Sequence, residues 1–209
     1  MHYTTVTNAS IINSAMPVVT FLFVVIFLKE KPMLNQVIGV SISIVGALFI
    51  IFRGDPSMLL SLSLNPGDVL VVCALTFWSI YTVLIRWKKT GLPLIMFLFV
   101  TIGFGVLFHI PLIAVEIFYQ GGFTLTPEIA MAFTYFAIFP SIFAYLAWNK
   151  AVALLGPGRT VIFIYLLPVY GAILGKVLLH EELVYYHFVG FILIFAGMLM
   201  VTRLSPHRA

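Results

Sequence analysis

The sequence predicts an all-α polytopic membrane protein with seven transmembrane helices, and three observations carry that expectation. Of the 209 residues, 62% are hydrophobic and only 9% charged, and the mean hydropathy is +1.15. A soluble domain carries roughly 25% charged residues, so this chain cannot cover a water-facing surface. Seven apolar stretches, roughly 8–28, 34–52, 67–86, 93–116, 128–149, 158–179 and 185–203, each come near the ~20 residues that a helix needs to cross hydrocarbon. Part of the sequence is also written twice, 151 residues apart: Pro17 falls on Pro168, Leu28 on Leu179, Glu30 on Glu181, Gly39 on Gly190 and Gly46 on Gly197. The other spanning structure, a closed β-barrel, needs short alternating strands, and these runs are too long and too continuously apolar for that.

The connections carry helix punctuation. Asn65-Pro66-Gly67-Asp68 and Thr126-Pro127-Glu128 each set a capping residue before a proline at the first helical position, with an acid in the first turn. Gly91-Leu92-Pro93 and Gly156-Pro157-Gly158 are tight turns between helices. The longest linker, 53–66, is a surface loop, and its Arg-Gly-Asp is a coincidence of loop composition. The first residues, MHYTTVTNAS, lack the basic region and small-residue cleavage site of a cleavable signal peptide. Cys73 is the single cysteine, so a disulfide within the chain is excluded. The net charge of +4 comes from basic residues at span ends and does not indicate a nucleic-acid partner.

Charge sets the orientation. Seven crossings place Lys29, Lys31, Arg86, Lys88, Lys89, Lys150, Arg159, Arg203 and Arg208 on one side. Asp55, Asp68, Glu116, Glu128, Glu181 and Glu182 collect on the other, with Arg53 and, at a helix end, Lys176. The basic side is the cytoplasmic one, which puts the C-terminus inside. Glu30 then ends its helix on the basic side and Glu181 ends the matching helix on the acidic side. The two copies run in opposite directions, which is the plan of inverted-repeat secondary transporters. With five spans to a repeat, 67–204 holds a complete second copy and 1–52 the last two helices of the first. An extracytoplasmic linker, 53–66, joins them, and 205–209 is a cytoplasmic tail.

The pieces PVVTFLFVVIFLKEK, IGVSISIVGALFI, GDVLVVCALTFWSIYTVLIR, FPSIFAYLAWNKAVALLGPGRTVIFIYLLPVYGAILGKVLLHEEL and HFVGFILIFAGMLMV, in that order, resemble the EamA family of the drug/metabolite transporter superfamily. The resemblance covers essentially the whole chain. It implies a ten-helix inverted-repeat (5+5) fold with both termini cytoplasmic, a central substrate cavity, and a place in the plasma membrane, the inner membrane in bacteria. The family's first three helices have no counterpart here, so the chain is expected to be a fragment or a truncated product. The expected function is secondary transport of a small organic metabolite or drug-like solute by alternating access. The alternative is a non-transporting membrane subunit that acts as an interaction module. Expected partners are the small-molecule substrate, membrane lipid and, as a possibility, a second copy in a homodimer.

Polar groups inside hydrocarbon are costly, which makes them the candidate functional residues. At helical spacing Ser10, Asn13 and Ser14 share one face, Trp78, Tyr81 and Thr82 a second, and Tyr145, Trp148 and Asn149 a third. Tyr165 lies three residues before Pro168. The resemblance places these helices around the cavity. Two readings stay open for each face: pocket lining, or hydrogen-bonded contact between helices. Tyr145, Trp148 and Asn149, near a span end, also fit interfacial anchoring. Pro17 and Pro168, each mid-span, are candidate hinges or static bends. Gly171 and Gly175 form a GxxxG that serves close packing or gating.

Lys176 is the most deeply embedded cation. It either snorkels outward to pair with Glu181 or Glu182, or meets a substrate. Glu30 and Glu181 read as interface anchors or salt-bridge partners, and His109 as a packing residue. His180-Glu181-Glu182 has its next histidine at His187, seven residues on, whereas a zinc-binding helix uses histidines four apart. No metal and no cofactor are expected. The chain also lacks a paired acid and base or an activated nucleophile, which argues against an enzyme.

Overall fold

We describe a computed structural model of the chain over residues 3–59, 62–63, 65–87, 91–122 and 124–203. Lys88, Lys89, Arg208 and the tail 205–209, which the charge argument used, lie outside the described residues. Every regular element among the described residues is helical. Seven helices are long and apolar enough to cross a membrane. They are α1 (Val6–Leu28), α2 (Leu34–Ile51), α3 (Pro66–Trp87), α4 (Leu94–Tyr119), α5 (Pro127–Leu155), α6 (Pro157–Leu179) and α7 (Tyr185–Thr202).

The chain divides into two compact units. One combines Met1–Trp87 with Leu155–Ala209; the other is Lys88–Leu154. In the second unit α4 carries Pro111 in its interior, and its side chains are almost all exposed. Thr126 caps α5, its hydroxyl accepting from the Ile129 amide at 3.4 Å. Around Pro140 the helix widens into π-turns over Ala137–Phe143. A proline ring cannot supply the regular bond, and a wider turn accommodates it. The Ser141 hydroxyl follows that wider pitch and donates five residues back to the Phe136 carbonyl at 2.9 Å.

In the first unit α2 and α7 pack antiparallel at backbone contact. A Cβ built on Gly39 would lie 2.6 Å from the Gly197 carbonyl oxygen, and one on Gly46 2.8 Å from that of Gly190. Only hydrogen fits in such a seam, as is usual where membrane helices approach closely. Ser43, between the two glycines, is fully buried and donates to the Ile194 carbonyl at 3.3 Å. Ala47, Ile50, Ile194 and Val201 continue the same core.

Helices α1 and α6 also cross antiparallel. Tyr165 meets Ser14, and a Cβ on Gly158 would lie 2.7 Å from the Phe21 ring. Both helices end in the same way. Lys29 and His180, 151 residues apart, adopt left-handed backbone at φ 56°. Such a conformation costs a non-glycine residue of order 1–3 kcal/mol, so its recurrence marks a shared chain reversal.

The α1–α3 contact is polar at its ends as well as its middle. Near the start of α3, Asp68 is buried. It accepts from the Asn65 amide at 2.8 Å and from Asn8 Nδ2 at 2.9 Å, and Thr4 adds a hydroxyl contact. The Gly67 amide donates to the Tyr3 carbonyl at 2.9 Å. In the middle, Thr20 and Ser79 are fully buried and share a 3.1 Å hydroxyl bond. At the far end Arg86 approaches Glu30 at 3.8 Å. In the linker, the Ser57 hydroxyl and amide hold the Asp55 carboxyl below its ordinary pKa.

Candidate functional site

A cavity of about 220 Å³ opens between α1, α2 and α6. Ser10, Asn13 and Ser14 of α1 form one wall, Ala47 and Ile51 of α2 the second, and Ile164, Leu167 and Pro168 of α6 the third. Ser10, Asn13 and Ser14, three and four residues apart, lie together on that wall. Pro168 is the central residue of α6, and Pro17 is the central residue of α1. The cavity thus begins at mid-span, where the regular backbone is interrupted in both helices. In α1 the helix is broken at Ala15, just before Pro17. In α6 a tight 3₁₀ stretch, Ile162–Tyr165, precedes the helix that contains Pro168.

The serines are bonded within their own helix. Ser10 Oγ donates to the Val6 carbonyl at 2.8 Å, and Ser14 Oγ to the Ser10 carbonyl at 2.9 Å. Asn13 is half-buried, and among the described residues its side chain makes no hydrogen bond. Tyr165 sits behind the wall and does not line it. Its ring is buried, and its hydroxyl donates to the Ser14 carbonyl at 2.8 Å, tying α6 to α1 at the kink.

The other candidate faces lie elsewhere. Trp78 and Tyr81 of α3 pack with tilted rings whose centroids are 5.7 Å apart. Thr82 is buried, and its hydroxyl returns to the Trp78 carbonyl at 2.8 Å. Tyr145 and Trp148 are half-buried and Asn149 buried, all on α5 in the second unit. Lys176 is exposed and makes no ion pair with Glu181 or Glu182 among the described residues. Past the left-handed turn at His180, the Glu181 carboxylate folds back against Gly175. Among the described residues no three His, Cys, Asp or Glu side chains converge as metal ligands would.

The sequence reading missed Thr20, Ser79, Thr4, Asn8 and the second role of Asp68. Each needs a partner from another helix. The one local signal was that Ser79 is a second hydroxyl three residues before Thr82, on the same face.

The chain matches the EamA-like transporter family over residues 1–52 and 65–203. It belongs to that family. An uncharacterized transporter of Bacillus subtilis (strain 168) is 28% identical over 81% of this chain and 55% of its own length. One of Archaeoglobus fulgidus is 29% identical over 97% of this chain and 68% of its own. A probable terminal-alkyne amino-acid exporter of Streptantibioticus cattleyicolor is 26% identical over 96% and 65%. The chain thus spans between 55% and 68% of the length of these relatives. A crystal structure that is 18% identical superposes on 99% of this chain and 69% of its own with a TM-score of 0.74, a likeness of fold. Family membership and seven apolar helices make this an integral membrane protein.

Proposed function

We propose that the chain is the larger part of a secondary transporter that moves a small organic solute by alternating access, and not an enzyme. One observation carries the reading: residues 151 apart in sequence meet each other in space. Ser14 meets Tyr165, and Ser43 meets Ile194. Equivalent residues of two copies touch only where a two-fold axis passes between them. Those contacts support an inverted repeat whose axis runs through the α1–α6 and α2–α7 crossings. The same operation exchanges the Gly39–Gly197 contact with Gly46–Gly190. The cavity lies beside the first crossing, and the prolines give each copy a mid-span joint there.

In this reading 67–204 is a five-helix repeat, 1–52 the end of its partner, and the C-terminus faces the cytoplasm. Pro17 and Pro168 are the moving joints, and Ser10, Asn13 and Ser14 contact the solute. Proteoliposome counterflow with amino acids, nucleosides and amphiphilic cations tests it. Saturable exchange of at least one class is expected, and exchange of none overturns the proposal.

A second reading, an interaction module, has its own support in α6. A Cβ on Gly171 would meet nothing within 4 Å, so that position is uncovered. Co-purification of a second membrane chain that is lost in Gly171→Leu, without any flux, would favour it.

A further inference from the structure

We propose that the cavity between α1, α2 and α6 selects solutes that present N–H donors, foremost a primary ammonium group, over hydroxyl or carboxylate solutes of the same skeleton. The biological use of this preference rests on the transporter reading above; the chemistry does not.

The cavity is rich in acceptors and poor in donors. Each serine hydroxyl has one proton, and both protons are already given to carbonyls of α1. What remains on Ser10 and Ser14 is lone pairs. Proline has no amide hydrogen, so neither Pro17 nor Pro168 adds a backbone donor at mid-span. Pro168 is itself a lining residue. The Asn13 amide adds one more acceptor and the one side-chain N–H₂ among the lining residues. The remaining lining side chains are apolar, and none is charged.

A carboxylate would bring charge and only acceptors into this wall, with no cation to meet it and a single amide to donate. Burying such a group without donors is heavily penalised. A hydroxyl brings one proton. An ammonium brings three, each able to find a serine oxygen or the Asn13 side-chain oxygen. At about 220 Å³ the cavity is smaller than the roughly 300–1,000 Å³ of drug-sized pockets, so the solute is small.

The test uses isoamylamine, isoamyl alcohol and isovalerate, which share an apolar skeleton and differ in the head group. Radiolabelled isoamylamine is bound to the chain in lipid nanodiscs, with empty nanodiscs subtracted, and the other two compete. Saturable amine binding is expected, with the alcohol about ten-fold weaker, as the loss of one or two hydrogen bonds implies, and the carboxylate weaker still. Asn13→Leu should raise the amine Kd about ten-fold for the same reason. Asn13→Asp, which keeps size and adds a negative charge, should tighten amine binding without tightening alcohol binding, and it decides the matter if Asn13→Leu fails to fold.

Absence of saturable amine binding, equal competition by alcohol or carboxylate, or an unchanged amine Kd in Asn13→Asp overturns the proposal. Amine-selective binding without any flux would keep this site and remove the transporter reading. Flux of solutes with no amine preference would do the reverse.

Discussion

Helices α1 and α6 are written in the same frame and placed in different surroundings. Both carry a central proline, both end in a left-handed residue, and both follow it with glutamate. On α1 the face beyond the proline, Thr20 and Val24, is buried, and Thr20 bonds to Ser79 of α3. The equivalent positions of α6 are Gly171 and Gly175. Gly171 faces open space, and Gly175 meets only the folded-back Glu181. Glu30 reaches across to Arg86, whereas Glu181 stays on its own helix. Repetition of sequence therefore preserves the backbone device, the kink and the reversal. The side chains on the outer face follow whatever packs there. A buried hydroxyl is kept where a neighbour answers it, since an unanswered one in a dry interior is costly.

Substitutions that separate covered from uncovered positions test this contrast. The largest difference is expected between Gly46→Leu and Gly171→Leu. The first drives a side chain into the α7 backbone and should destabilise the protein by about 3 kcal/mol, at the upper end of ordinary overpacking. The second enters open space and should change stability by less than about 0.5 kcal/mol. Chemical unfolding in mixed micelles reads both, and equal losses would erase the distinction. Tyr165→Phe removes the bond to the Ser14 carbonyl and should cost about 1 kcal/mol, because that acceptor is left buried at the kink.

For the α1–α3 contact, a double-mutant cycle on Thr20→Val and Ser79→Ala should return a coupling of about 0.6 kcal/mol, the usual scale between membrane helices. Zero coupling would mean that the buried hydroxyls do not hold the helices together. The smallest effect concerns the glutamates. Glu30→Gln should lower stability by at most about 1 kcal/mol, and by less at high salt, since both partners of the pair are partly exposed. Glu181→Gln should leave stability salt-independent and unchanged. An equal response at Glu181 would mean that its carboxylate has a cation after all.

Much of the architecture could be read from local chemistry. Span length is set by hydrocarbon thickness, and Thr126 announces its helix by a capping hydroxyl that needs no tertiary partner. The wall of Ser10, Asn13 and Ser14 was legible because helical periodicity alone puts those residues on one face. Pro168, noticeable in the sequence as a repeated mid-span proline and so a candidate hinge or bend, is part of the facing wall. Tyr165 shared that signal yet serves as a brace behind the wall, since only packing decides which side of a kinked helix a ring occupies. Thr20 with Ser79 and Asn8 with Asp68 were not legible. Each half of the pair looks like an ordinary polar residue until the helices are laid together. The direction in which Glu181 leaves its helix was not legible either: the reversal at His180 depends on a backbone angle that sequence does not spell out.

The glycine seam between α2 and α7 has a mechanical consequence. Two backbones that touch through hydrogen atoms leave no clearance for one helix to slide along the other. A slide along the axis would carry Ser43, the next residue on the glycine face, toward the facing main chain where a glycine now passes. The pair can turn as a unit or stay still, and it cannot act as a telescope. It is an axle, and any rearrangement that opens or closes the cavity has to be carried by the helices mounted on it.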